Sequence, residues 1–275
     1  MAKDDTNLVI KINGDIKGYT SALEEATAET KNLQATFNKI AKTGAVAFAG
    51  FTGAIALATI EFAEFDNGLR GVKTLLDETS FSTKSLDEGF QDLSGDALKA
   101  LSEFPVTLEA VNKSLFDIVS AGVDAEKSIS VLGSTSRLAV AGITSAAVAT
   151  DGVTSALNAY GLEAEQAESV AAKFFTAQKF GKTTIQELSR FLGEGVSTAK
   201  EFGVSLDELF ASLAAATTGG IKTSQAVTAL VAAISNVSKP TAEAREEAER
   251  LGIEFNSTAL RSKGLKGFLD DLTNS

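Results

Sequence analysis

Hydrophobic positions change their spacing several times along the chain. Residues Leu8-Val9-Ile10-Lys11-Ile12-Asn13-Gly14 form a short apolar run closed by Asn-Gly, which predicts a β-strand too short to serve as a signal segment. A single strand must pair with another chain, pair with a distant segment, or stay loosely ordered. From Tyr19 the spacing becomes helical, with Tyr19, Leu23, Ala26, Thr30, Leu33, Phe37 and Ile40 separated by fours and threes without a slip. That pattern suits the a/d seam of a coiled coil about three heptads long, and equally an amphipathic helix packed on its own domain. Residues Thr43 to Ile60 carry no charge, a length at the lower edge of what spans a bilayer. Ala45, Ala49 and Gly53 recur every fourth residue there, as do Gly50, Ala54 and Ala58, so two helix faces would let backbones approach closely. A buried or self-associating helix and a segment that enters a membrane both fit; Glu61 and Glu64 end the stretch. Leu23, Leu33, Phe37, Ile40, Ala45, Ala49 and Gly53 are the candidates for self-association.

Beyond Glu61 the pattern predicts a series of short helices joined by one device: a glycine, an aliphatic or polar residue, then a capping residue. It occurs at Gly122-Val123-Asp124, Gly142-Ile143-Thr144, Gly161-Leu162-Glu163, Gly181-Lys182-Thr183, Gly203-Val204-Ser205 and Gly220-Ile221-Lys222-Thr223. The glycine is expected to take positive φ just past one helix, the aliphatic residue to fold back on that helix, and Ser, Thr or Asp to cap the next. Ser85/Glu88, Thr184/Glu187 and Ser205/Glu208 have the spacing of capping boxes. The region from about Phe81 to Gly252 is therefore expected to be a compact all-α domain, its period too irregular for a named solenoid repeat. A charged helix follows from about Pro240 to Leu251, with i,i+4 pairs on a solvated face. The run Leu265 to Leu272 starts a further amphipathic helix, so the chain looks cut or naturally short. The expected architecture is mainly α. It comprises an N-terminal strand region over 1–18, coiled-coil and apolar helices over 19–64, and a multi-helix domain over 65–275.

Composition narrows the chemistry. The 275 residues contain no His, Cys or Trp, which removes disulfides, thiolate nucleophiles, the Ser-His-Asp triad and ordinary zinc centres. Gly181-Lys182-Thr183 resembles the end of a phosphate-binding loop, but the first glycine such a loop needs is replaced by Thr176, and the residues from Val170 read as helix rather than strand. Carboxylates are plentiful, yet no spacing singles out a catalytic pair, and with 2 Tyr and 0 Trp no sugar platform is visible. The Asn-x-Ser/Thr triplets at Asn112, Asn236 and Asn256 read as chance sequons. No catalytic residue, cofactor or metal ligand is assigned, and the chain is not expected to be an enzyme. A net charge of −11 argues against wrapping or reading nucleic acid, while suiting a surface along which DNA must slide without sticking.

The order of several motifs resembles the core domain of phage tail tape measure proteins of the TP901 type. Phe65-Asp66-Asn67-Gly68-Leu69-Arg70-Gly71-Val72-Lys73 looks like that domain's opening. Ala121-Gly122-Val123-Asp124 and Ala156-Leu157-Asn158-Ala159-Tyr160-Gly161-Leu162 resemble two of its internal stretches. The match is closest over Gly219 to Leu230, followed by Ser238-Lys239-Pro240-Thr241 and Leu251-Gly252-Ile253-Glu254-Phe255. The short strand, coiled-coil helix and Ala/Gly-rich stretch are similar to how such proteins begin.

This resemblance implies a structural component of a phage or prophage tail, lying in the tube lumen, setting tail length and leaving ahead of the genome. The implied partners are tail tube subunits, tail assembly chaperones, a baseplate or tail-tip hub, and further copies of the chain. The host cytoplasm during assembly and the host membrane on ejection are the other implied locations. Even wholly helical, the chain would reach only about 410 Å, at about 1.5 Å per residue, so length measurement needs more chain than this. A membrane-inserting pore acting through residues 43–60 is the alternative expectation, and a carboxylate-dependent hydrolase a more distant one.

Overall fold

The computed structural model describes residues 59–104 and 106–274. The expected strand, the heptad seam, residues 43–58 of the apolar stretch and all seven self-association candidates lie outside the described residues. The described chain is helical throughout: α1 Thr59–Lys73, α2 Leu86–Glu103, α3 Leu108–Ser120, α4 Ala125–Ala141, α5 Ala146–Tyr160, a 3-10 turn Ala164–Gln166, α6 Ala167–Phe180, α7 Ile185–Glu201, α8 Leu206–Thr218, α9 Thr223–Ser238, α10 Ala242–Arg250 and α11 Ser257–Asn274. None of these helices is long and apolar enough to cross a membrane.

Helices two apart in sequence pack side by side. The odd helices α1, α3, α5, α7 and α9 form one layer, the even helices α2, α4, α6 and α8 a second, and successive helices close the layers against each other. This is a two-layer stack of helical hairpins. Helix lengths in the stack, from 13 to 18 residues, blur the period in the sequence. The layering repeats because each helix packs on the helix two places along the chain.

Between the layers runs one continuous apolar core, with Leu69, Leu115, Leu132, Val153, Phe174, Leu188 and Leu213 at most 2% exposed. Hydroxyl residues share this core by bonding backbone of their own helix: Thr154 donates to the Thr150 carbonyl and Thr176 to that of Ala172. Their polarity is thus satisfied locally and their small size lets helices approach.

The three expected capping boxes are present, and a fourth, Glu163/Gln166, opens the 3-10 turn. The charged helix is shorter than expected, Ala242–Arg250 capped by Thr241, and Arg250 pairs with Glu247 three residues earlier rather than four. The chain's last run proves to be a helix from Ser257 broken at Gly264, where φ is +71°.

Candidate functional site

With no catalytic constellation expected, the surface features of interest are the two rows of turns. Same-layer helices run parallel, so their C-termini gather on one edge. Side chains from one helix bond free carbonyls of its same-layer neighbour. On the first edge Asn158 Nδ2 donates to the Ala121 carbonyl at 2.8 Å and the Tyr160 hydroxyl to that of Val204 at 2.9 Å. On the second, Gln178 Nε2 donates to the Gly142 carbonyl at 3.2 Å and Thr218 Oγ1 to that of Phe180 at 2.8 Å. Carbonyls left over at helix ends are satisfied in this way, and the turns are locked into register.

Burial pushes the Tyr160 hydroxyl above its ordinary value of 10.0, with Glu208 and Asp207 adding to the effect. The folded chain therefore holds this proton more tightly than the unfolded chain. Its contribution is complete below pH of about 10 and is lost as pH rises beyond it. Tyr160→Phe should cost about 1 kcal/mol at neutral pH and make the alkaline decline in stability shallower. A Phe variant that loses stability as steeply as the parent in alkaline urea titrations would contradict this.

The turn device holds at Gly122, Gly161, Gly203 and Gly220, with φ between +63° and +93°. In each, the two amides after the helix return to carbonyls of its last turn; Val123 N, for example, donates to the Ile118 carbonyl. Gly252, at φ +71°, adds a further case. Two turns depart. At Gly142 the glycine has φ −92° and Ile143 takes the left-handed position, at φ +54°. A Cβ on Gly142 would run into Ile185 at the start of α7, so this glycine serves close helix approach and positive φ passes to the next residue. Gly181 is extended, φ −96°, and its missing Cβ would stand 2.7 Å from the Ala177 carbonyl oxygen and 2.8 Å from Ala214 Cα. Gly181-Lys182-Thr183 is thus a junction between two helices, with Val170 to Phe175 inside α6 as the sequence suggested.

Ile143 is 93% exposed, so an unstrained glycine would lose no packing there. A β-branched residue in the left-handed region costs about 1–2 kcal/mol. Ile143→Gly is expected to stabilise the chain by about 1 kcal/mol, read as a higher urea midpoint with unchanged slope. A lower midpoint would show that the conformation is not strained.

The two edges differ in chemistry. Turns 121–127, 161–168 and 200–208 hold eight carboxylates and two lysines. Glu126 is held below the ordinary carboxylate range by bonds from the hydroxyl and then the amide of Ser82, which keeps it charged. The other edge, turns 142–147, 179–187 and 218–224, holds three lysines and one carboxylate. It also carries the exposed Ile143, Phe180 and Ile221. The expectation that aliphatic turn residues fold back therefore fails at Ile143 and Ile221, and holds at Val204, 1% exposed. Average composition concealed this polarity, because alternate turns belong to opposite edges. Asn112, one of the chance sequons, is buried in α3 and donates to the Phe65 carbonyl.

No group of His, Cys, Asp or Glu able to hold a metal ion is found among the described residues. No solved structure matches the chain. Over 263 residues the chain is 26% identical to the tape measure protein of Pneumococcus phage Dp-1, an alignment covering 92% of this chain and 22% of that protein. The chain thus spans about a fifth of the length of that relative. Residues 94–275, from within α2 through the rest of the stack, match the family model described as phage-related minor tail protein. A match over well over half of its length places the chain in the phage-related minor tail protein family.

Proposed function

We propose that this chain is a helical part of a phage or prophage tape measure protein, acting in tail assembly as a structural element and not as a catalyst. The observation that carries this reading is the family match across the layered stack, joined by similarity to a tape measure protein over nearly the whole chain. The predominantly acidic surface supports a place along the path of DNA, since like charge keeps the polyanion from adhering. In this reading the protein resides in the virion tail. Its partners are tail tube subunits, assembly chaperones, a baseplate or tip hub and further copies of itself, and it serves in length determination and genome ejection.

The length role has a quantitative test. In-frame deletions that remove extended helix from the encoded protein should shorten tails by about 1.5 Å per residue removed, measured by electron microscopy. Tails of unchanged length would remove the ruler role and leave only the assembly role. The pore alternative rests on residues 43–60, of which 43–58 lie outside the described residues.

A further inference from the structure

We propose that the acidic edge of one copy docks onto the lysine-and-apolar edge of a second, joining copies head to tail. The receiving edge is contiguous: Gln178 donates to the Gly142 carbonyl and accepts from the Ile185 amide at the start of α7, and the next two turns are joined by Thr183 and Thr223, whose hydroxyls lie 2.8 Å apart. Three turns at ordinary helix spacing span about 20 Å. Along that span Ile143, Phe180 and Ile221 are exposed. Lys182 and Lys222 stand between them and make no ion pair among the described residues.

Three features favour a second copy as the occupant. The charges are complementary, with Asp124, Glu163 and Glu165 exposed on the opposite edge. Both edges are read off one helical stack, so their turns repeat at the same step and can meet in register. Ile143 keeps a strained backbone to present its side chain to solvent, a cost that contact with a partner would offset. Because the two surfaces differ, the contact is heterologous and either closes as a ring or grows as a filament. The inference does not depend on the tail reading.

Sedimentation velocity of the full chain over a wide concentration range tests it. The parent should grow in mass with concentration. A variant with Lys182→Glu and Lys222→Glu, and another with Asp124→Lys and Glu165→Lys, should each stay small alone while keeping the parent's helical circular dichroism. Mixing the two should restore association, because each retains the edge the other lacks. Ile143→Gly should weaken association about tenfold while raising stability, a pairing that misfolding cannot produce. A parent that stays monomeric throughout overturns the proposal. So does a variant that associates alone as the parent does, since assembly would then run through other residues.

Discussion

Phe174→Ala is expected to lower stability by about 3–5 kcal/mol, the range for emptying a large buried aromatic site. The ring is fully buried in α6 and meets Phe210 of α8 with centroids 4.7 Å apart at 60°, an arrangement that adds to simple burial. Gly152 of α5 stands on its other side, where a Cβ would lie 2.9 Å from Phe174 Cζ. One side chain thus joins both layers in the middle of the stack, and the missing Cβ of Gly152 is what admits it. Urea denaturation should show a lower midpoint at unchanged slope. A loss below about 1 kcal/mol would mean that the neighbours collapse freely and that the layers do not depend on this contact. By contrast, Phe180 is 38% exposed, and its truncation should change stability far less.

Glu208→Ala is expected to cost about 2–4 kcal/mol and to loosen one part of the chain selectively. One carboxylate oxygen closes the capping box of α8, accepting from the amide and hydroxyl of Ser205 at 3.0 and 2.9 Å. The other accepts from the amides of Leu265 and Lys266, at 2.8 and 3.3 Å, where the chain restarts its helix after Gly264. A Cβ at residue 264 would stand 2.7 Å from that same oxygen, so glycine there serves both its left-handed φ and the approach of Glu208. A single carboxylate therefore caps two helix starts and holds the second half of α11 in place, with Phe268 buried and its ring tilted at 45° against that of Phe255. Hydrogen exchange should accelerate over residues 265–272 well before the rest of the stack in the variant. Uniform exchange across the chain would contradict the double-capping role.

What the sequence made legible follows the range of the interactions concerned. Ser85, Thr184 and Ser205 announced their helices because a capping box is written within four residues and needs nothing from elsewhere. Gly122, Gly161, Gly203 and Gly220 were readable for the same reason. Gly142 and Gly181 look alike in sequence, but their conformations are set by Ile185, Ala214 and Thr217, which reach them only after the chain has folded back. The layering is likewise non-local, since contact falls between every second helix while helix lengths vary. The opposed chemistry of the edges was present as a signal, in acidic turns that alternate with turns holding a single carboxylate among them. Sorting those turns by parity requires knowing that the hairpins stack. The self-association candidates from Leu23 to Gly53 lie outside the described residues, so the docking surface developed above rests on different residues.

Whether this chain is part of a phage tail is decided by peptide mass mapping of purified tails or virions from the source. Peptides spanning the helical stack, recovered from tails in constant ratio to the tube subunit, are the predicted result. Their absence from tails and particles purified to constant composition would contradict it.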